Sequence, residues 1–203
     1  MQASGYPVYI VEDDPSVRDS LGLLLGMEGL HVTLFADAES FLRAYRPEWR
    51  GCLLIDIRMP GMDGLTLQKK LLEVGCKIPV IVMTGHGNVE SSRAAFRARA
   101  VDFLEKPIDH AKLMNAIDEA FTLQAAAQNK IQRSTESELL LAKLTSREKE
   151  VMELIVAGMH NKEVADKLAI SIRTVEVHKA RIMAKLGVDG VSGLVRLSLA
   201  AHS

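Results

Sequence analysis

Four short apolar segments of this 203-residue chain lead into side chains that are suited to phosphate chemistry. The residues at their ends are Glu12 with Asp13, then Asp56, Thr84 and Lys106. If each segment is a strand of one parallel sheet, the four ends meet at the carboxyl edge of that sheet, where open α/β folds bind ligands. The sequence therefore predicts that these five residues form one site.

Three of these side chains are carboxylates, those of Glu12, Asp13 and Asp56. Like charges at short range are costly unless a cation lies among them. Mg²⁺ fits, because it prefers oxygen ligands and binds through one or two carboxylates, retained waters and a phosphate oxygen. The backbone carbonyl of Arg58, two residues after Asp56, is a further candidate ligand. We therefore predict Mg²⁺ as the cofactor.

The remaining two side chains favour phosphoryl transfer to Asp56. The Lys106 ammonium is expected to pair with Asp56 and then with a phosphoryl oxygen, while the Thr84 hydroxyl donates to another oxygen. Asp56 then acts as a nucleophile that forms an acyl phosphate, a reaction that needs little beyond positioning and charge neutralisation. An isolated aspartate at a strand end is usually a solvated carboxylate or a helix cap, so the prediction depends on all the partners together.

Alternating apolar runs and helical patterns indicate the elements that position this site. The pattern is typical of βαβ units and a parallel sheet covered on both faces, which predicts a flavodoxin-like, five-stranded α/β domain over residues 1–123. Strands are predicted at 8–11, 32–35, 52–55, 80–83 and 101–104, and helices at 15–27, 38–44, 65–73, 88–97 and 109–122.

The rest of the chain is predicted to be helical. Residues 124–143, rich in Ala, Gln, Ser and Thr, indicate a partly helical linker. Residues 144–203 are predicted to form a small all-α domain of four helices. Thr145 and Glu148 fit a capping box, Asn161 is expected to cap a second helix over 162–168, and Ser171 a third that runs to Leu186. Two short helices joined by a tight turn indicate a helix-turn-helix.

The third helix of this domain has two different faces. Val175, Ile182 and Leu186 lie on one side of a helical wheel and are predicted to be buried. The opposite side is small or basic and fits a DNA groove, with Thr174, His178 and Lys185 on a flank that is suited to phosphate contacts. An ordinary solvated face has the same pattern. The residues on the side opposite the buried face are Arg173, Val177, Ala180, Arg181 and Ala184.

Composition narrows the class of protein. The hydrophobic fraction of 48% and charged fraction of 25% are those of a globular protein. The longest apolar runs are shorter than a membrane span, and the N-terminus lacks a secretory pattern, so we expect a cytoplasmic protein without a membrane partner. Cys52 and Cys76 lack metal-ligand spacing. The net charge of −1 includes a small basic excess in residues 144–203, which permits contact with nucleic acid.

The first domain resembles the receiver domains of two-component response regulators, in residues 10–14, 55–64, 84–87 and 102–107. The resemblance implies that a histidine kinase phosphorylates Asp56, that Asp13 binds Mg²⁺ directly and Glu12 through water, and that the Lys106–Pro107 peptide bond is cis. It also implies that Thr84 and Phe103 form a switch pair. Glu12 stands where Asp is common, and Arg99 stands where Gly is usual.

The second domain resembles the LuxR-type helix-turn-helix of the NarL and FixJ regulators, in residues 144–151, 161–165 and 170–178. The resemblance implies that a dimer binds double-stranded DNA. It places base contacts near Arg173, Glu176, Val177 and Ala180, and backbone contacts at His178 and Lys179. Some relatives carry Lys at the positions of Glu176 and Ala180, so target sequences do not transfer from them.

Together these features predict a transcription factor whose activity is controlled by phosphorylation of Asp56 through homodimerisation. The expected partners are a histidine kinase and promoter DNA, and RNA polymerase is a candidate for a further partner. We expect no enzymatic turnover. A phosphatase of the haloacid dehalogenase type is disfavoured, because Arg58 stands where those enzymes carry a second Asp. A DNA-binding or scaffolding protein that works without phosphorylation remains the alternative.

Overall fold

A parallel sheet forms the centre of the first unit, with strand order β2-β1-β3-β4-β5. The computed structural model describes residues 5–85 and 100–201. The prediction of five strands that form one parallel sheet is confirmed. Strands β3 and β4 extend one residue further than predicted, because Asp56 pairs with Met83 and Thr84 with Glu105 in the ladder. Strand β5 begins and ends one residue later than the predicted 101–104. The strands are β1 (Val8–Val11), β2 (Val32–Phe35), β3 (Cys52–Asp56), β4 (Val80–Thr84) and β5 (Asp102–Glu105).

Apolar clusters cover both faces of this sheet. Side chains alternate along a strand, so Val8 and Ile10 of β1 belong to one cluster while Tyr9 and Val11 belong to the other. Three helices follow the first three strands: α1 (Pro15–Met27), α2 (Ala38–Ala44) and α3 (Gly64–Glu73). The helix predicted over 88–97 and the departure at Arg99 lie outside the described residues.

A single long helix, α4 (His110–Leu141), continues past residue 122, where the predicted helix was expected to end, and includes most of the predicted linker. The segment is rich in Ala and Gln and contains neither Gly nor Pro, so nothing in its sequence stops a helix. The chain forms two compact units, and the boundary between them lies within this helix. The first unit ends at Ala126 and the second begins at Ala127.

Four helices follow in the second unit: α5 (Ser146–Val156), α6 (Asn161–Leu168), α7 (Ile172–Leu186) and α8 (Val191–Ala201). They enclose a separate apolar core that includes Val151, Val164, Val175 and Leu194. Each is only 8 to 15 residues long, so tertiary packing stabilises helices that are marginal alone.

The predicted caps are confirmed at two of three helices. Thr145 and Glu148 form the capping box of α5, and the Ser171 hydroxyl accepts a hydrogen bond from the Thr174 N–H at 3.1 Å. The expectation for Asn161 is wrong. The backbone N–H of His160 donates to the Glu163 carboxylate at 2.7 Å, so His160 is the cap and Asn161 is already the first residue of α6.

The buried carboxylate of Glu148 connects α5 to α7. Lys185 Nζ lies 2.6 Å from Glu148 Oε2, and the Thr145 N–H donates to the same oxygen at 2.8 Å. Lys185 was expected on a DNA-contacting flank, and this contact instead connects residues that are 37 positions apart. The hydrogen bonds from Lys185 and Thr145 lower the pKa of Glu148 to about 2.

We expect Glu148→Gln to lower the melting temperature of the second unit at neutral pH. Because the folded pKa of Glu148 is depressed, its stabilisation is fully present above the ordinary value of 4.5 and is lost as the pH falls through about 2. The difference in melting temperature between wild type and variant should therefore shrink across that range. Circular dichroism melts of both proteins test this, and a difference that is constant with pH contradicts the assignment.

Candidate functional site

The three predicted carboxylates converge at the carboxyl edge of the sheet. Oxygen atoms of Glu12, Asp13 and Asp56 lie within 4.8 Å of one another. Glu12 is 1% exposed and Asp56 is 3% exposed, whereas Asp13 is half-buried. Two negative charges are therefore removed from water at nearly the same point, and the fold must compensate them.

The turn after β1 brings Glu12 and Asp13 to this edge. The Glu12 N–H donates to the Phe35 carbonyl at 3.1 Å, which extends the pairing of β1 and β2 by one residue. Asp14 then caps α1, since its carboxylate accepts from the Ser16 N–H at 2.8 Å, and Pro15 fits the first helical position. The chain turns from strand to helix over residues 12–14, with the acidic pair at the turn.

Lys106 supplies the compensating charge. Its Nζ atom lies 2.6 Å from Glu12 Oε2 and 2.8 Å from Asp56 Oδ1, so one ammonium bridges both buried carboxylates. Its backbone N–H donates to the Thr84 carbonyl at 2.7 Å, and the bond to Pro107 is cis, as the resemblance implied. Sequence reasoning anticipated the contact with Asp56 and missed the contact with Glu12.

The pKa shifts reflect burial and pairing. Burial is the largest cause that raises the pKa of Glu12, the neighbouring charge of Asp56 raises it further, and the hydrogen bond from Lys106 opposes both. Burial acts against the charged form of Lys106, but hydrogen bonds to Asp56 and Glu12 outweigh it and raise the pKa of the ammonium. Lys106 therefore stays positively charged at neutral pH.

The chemistry of this donor set fits Mg²⁺. Three carboxylates at short range supply hard oxygen ligands, and the effect of Asp56 on the pKa of Glu12 shows negative charge that a cation would stabilise. Arg58 is exposed two residues after β3, between the buried residues Ile57 and Met59, and its carbonyl remains a predicted ligand. The three carboxylates of this cluster are those that the sequence predicted as ligands.

The two predicted switch residues lie on neighbouring strands. Thr84 is the last residue of β4 and is 1% exposed, one position beyond the residue that pairs with Asp56. Phe103 pairs with Val82 and is half-buried against the apolar cluster on one face of the sheet. The paired movement of Thr84 and Phe103 stays a prediction.

In the second unit, α7 has the predicted buried face of Val175, Ile182 and Leu186. The residues predicted to contact DNA are exposed to solvent to different degrees. Ser171 and Thr174 also share a hydroxyl hydrogen bond of 2.8 Å at the start of the helix. The exposed residues are Arg173, Glu176, Val177, Ala180 and Arg181, and the half-buried ones are Thr174, His178 and Lys179.

Arg147 makes two side-chain contacts in the second unit that the sequence did not predict. Its Nη2 atom donates to the Leu168 carbonyl at 2.7 Å, and its Nη1 atom donates to Glu150 at 2.6 Å. Leu168 ends α6, and Ala169 after it adopts a left-handed backbone with φ 53°. Arg147 therefore binds the helix end beside the turn that leads into α7.

Within the described part of the chain, no helix combines the length and the apolar character that a membrane crossing needs.

Two protein families match this chain, one over each unit. Residues 8–118 match the response regulator receiver domain, and residues 142–198 match the bacterial regulatory proteins of the luxR family. The chain is 40% identical to the transcriptional regulatory protein FixJ of Bradyrhizobium diazoefficiens, over 96% of this chain and 95% of that one. It is 42% identical to FixJ of Rhizobium meliloti, over 96% of each.

Solved structures give the same result. The response regulator StyR superimposes with a TM-score of 0.83 at 38% identity, covering 97% of this chain and 99% of that one. Full-length FixJ from B. japonicum superimposes with a TM-score of 0.61 at 39% identity, covering 99% and 98%.

Proposed function

This chain belongs to the NarL/FixJ family of response regulators, in its FixJ branch, and we propose that phosphorylation of Asp56 switches its binding to DNA. The observation that carries the proposal is the bridge of Lys106 between the buried carboxylates of Glu12 and Asp56. A receiver domain joined to a LuxR-type DNA-binding domain is the arrangement of a phosphorylation-controlled transcription regulator, and the relatives are regulators rather than enzymes.

The proposed reaction follows from the roles of the side chains. An Asp56 carboxylate oxygen attacks the phosphorus of a kinase phosphohistidine, the phosphorus–nitrogen bond breaks, and an acyl phosphate forms on Asp56. Lys106 pairs with the new phosphoryl oxygens, and the Thr84 hydroxyl donates to another. Bound Mg²⁺, held by Asp13, Asp56 and the Arg58 carbonyl with Glu12 acting through water, would neutralise the phosphoryl charge.

The phosphoryl group then acts as a local charge that biases a two-state element. Thr84 moves toward the phosphoryl group, Phe103 turns inward, and the receiver surface that results favours a homodimer. Phe103 has no hydroxyl, so it responds through packing. The dimer binds double-stranded promoter DNA through α7. We propose RNA polymerase as a further partner of the DNA-bound dimer.

Two features weigh on the rival functions. Arg58 stands where a phosphatase of the haloacid dehalogenase type carries its second aspartate, and it is exposed beside the site. Without that acid and base, no side chain at this position protonates a leaving group or activates the water that must hydrolyse the phosphoenzyme. A regulator that binds DNA equally well without phosphate remains the competing function, and only a binding measurement separates the two.

The test is to incubate the full-length protein with acetyl phosphate and Mg²⁺ and to measure its intact mass and its DNA affinity. The DNA is a set of fragments that the protein selects from a random pool. We expect the mass gain of one phosphoryl group and tighter binding, by about tenfold or more, since coupling of 1–3 kcal/mol is usual between linked sites. Equal affinity of the modified and unmodified protein supports the phosphorylation-independent function.

A further inference from the structure

We propose that Arg18 is a positioning residue for the Mg²⁺ ligand Asp13, an inference that rests on the proposed phosphorylation switch. Arg18 lies near the start of α1 and is half-buried. Its Nη1 atom donates to the Glu12 carbonyl at 2.8 Å and to the Asp13 carbonyl at 3.2 Å. One guanidinium nitrogen therefore contacts the backbone of both acidic residues at the turn.

These two carbonyls lie on either side of the Asp13 Cα atom. The Glu12 carbonyl belongs to the peptide group before Asp13, and the Asp13 carbonyl belongs to the peptide group after it. Because each peptide group is planar, holding both carbonyls fixes both backbone dihedral angles of Asp13. The direction of its Cα–Cβ bond is then fixed as well, and this limits the positions that the carboxylate reaches by rotation of its side chain.

The contact lies at the turn between β1 and α1. Val11 is the last residue of β1 and Pro15 is the first of α1, so the carbonyls of residues 12 and 13 lie between the strand and the helix. Arg18 is anchored by its own helix, since its backbone N–H donates to the Asp14 carbonyl at 2.9 Å. Charge-assisted hydrogen bonds from a fixed donor are stronger than neutral ones.

Loss of Arg18 should therefore weaken Mg²⁺ binding without removing any ligand atom. Partners that orient a metal ligand typically change affinity by about 10–100-fold. For Arg18→Ala we expect a rise of about tenfold or more in the Mg²⁺ concentration that gives half the maximal rate of phosphorylation by acetyl phosphate. The rate at saturating Mg²⁺ should stay near that of wild type, because Asp56 and Lys106 are intact.

The chain offers matched variants. Arg18→Lys should restore part of the Mg²⁺ affinity, since a single nitrogen makes both contacts. Arg46→Ala is the control, because Arg46 Nη1 also donates to three backbone carbonyls, those of Arg43, Ala44 and Tyr45, at the end of α2. This control should leave the half-saturating Mg²⁺ concentration unchanged, and a shift equal to that of Arg18→Ala overturns the proposal.

Titration calorimetry of Mg²⁺ gives a readout that does not depend on phosphorylation. In the Asp13→Asn background, Arg18→Ala should have little further effect, because both changes act on one ligand. Additive losses, unchanged Mg²⁺ affinity, or a lower rate at saturating Mg²⁺ alone overturn the role of Arg18. If wild type binds Mg²⁺ but is never phosphorylated, the proposed switch fails, while calorimetry still decides the role of Arg18.

Discussion

Asp56→Asn is expected to abolish phosphorylation by acetyl phosphate. The carboxamide has nearly the shape of the carboxylate but is not a nucleophile, so no acyl phosphate forms. The fold should tolerate the change, because Lys106 keeps its 2.6 Å contact with Glu12. Removal of the Asp56 charge also removes one cause that raises the pKa of Glu12. Intact mass after incubation with acetyl phosphate and Mg²⁺ checks this, and DNA affinity should no longer respond to the phosphodonor.

Asp63→Asn is the matched control for this experiment. Asp63 caps α3 in the same unit, its carboxylate accepts from the Thr66 N–H at 2.7 Å, and it is exposed. Asparagine caps helices about as well as aspartate, so this variant should fold and accept a phosphoryl group as wild type does. A phosphoryl group on the Asp56→Asn protein at the wild-type rate would mean that the acceptor lies elsewhere.

The sheet and the edge that carries the site were predictable because their signals are local. Four of the five strands are short apolar runs that lead into a polar residue, and parallel strands bring those ends together. The sequence therefore placed Glu12, Asp56 and Lys106 at one edge. It did not reveal which oxygens the Lys106 ammonium contacts, because the pairing depends on how far this side chain reaches from the end of β5, past β4, to the ends of β3 and β1.

Contacts between distant segments account for most of what was missed. Arg147 reaches the Leu168 carbonyl 21 positions away, and Lys185 reaches Glu148, yet no spacing rule predicts either contact. The start of α6 was misplaced by one residue, because His160 has no recognised capping side chain and acts through its backbone. The length of α4 was underestimated, since a polar composition weakens the periodic signal while it still favours a helix.

Val177→Glu is expected to produce the largest loss of DNA affinity among single changes on α7. Val177 is 42% exposed on the face that we propose enters the groove, with Arg173 and Arg181 one helical turn to either side. A carboxylate there pairs with these arginines at the i±4 spacing and repels the phosphates. Loss of one base contact alone is worth about 1–3 kcal/mol, so binding should weaken by at least about 10–100-fold.

Stability and DNA binding should separate in this variant. Glutamate is a slightly better helix former than valine, and an exposed site leaves no cavity, so the melting temperature should stay close to that of wild type. Leu139→Glu, at a residue of α4 that is 64% exposed, introduces the same charge in the same unit and should bind DNA as wild type does. Affinities measured on DNA selected by the wild-type protein decide the matter, because equal binding by Val177→Glu and Leu139→Glu would exclude this face of α7 from the groove.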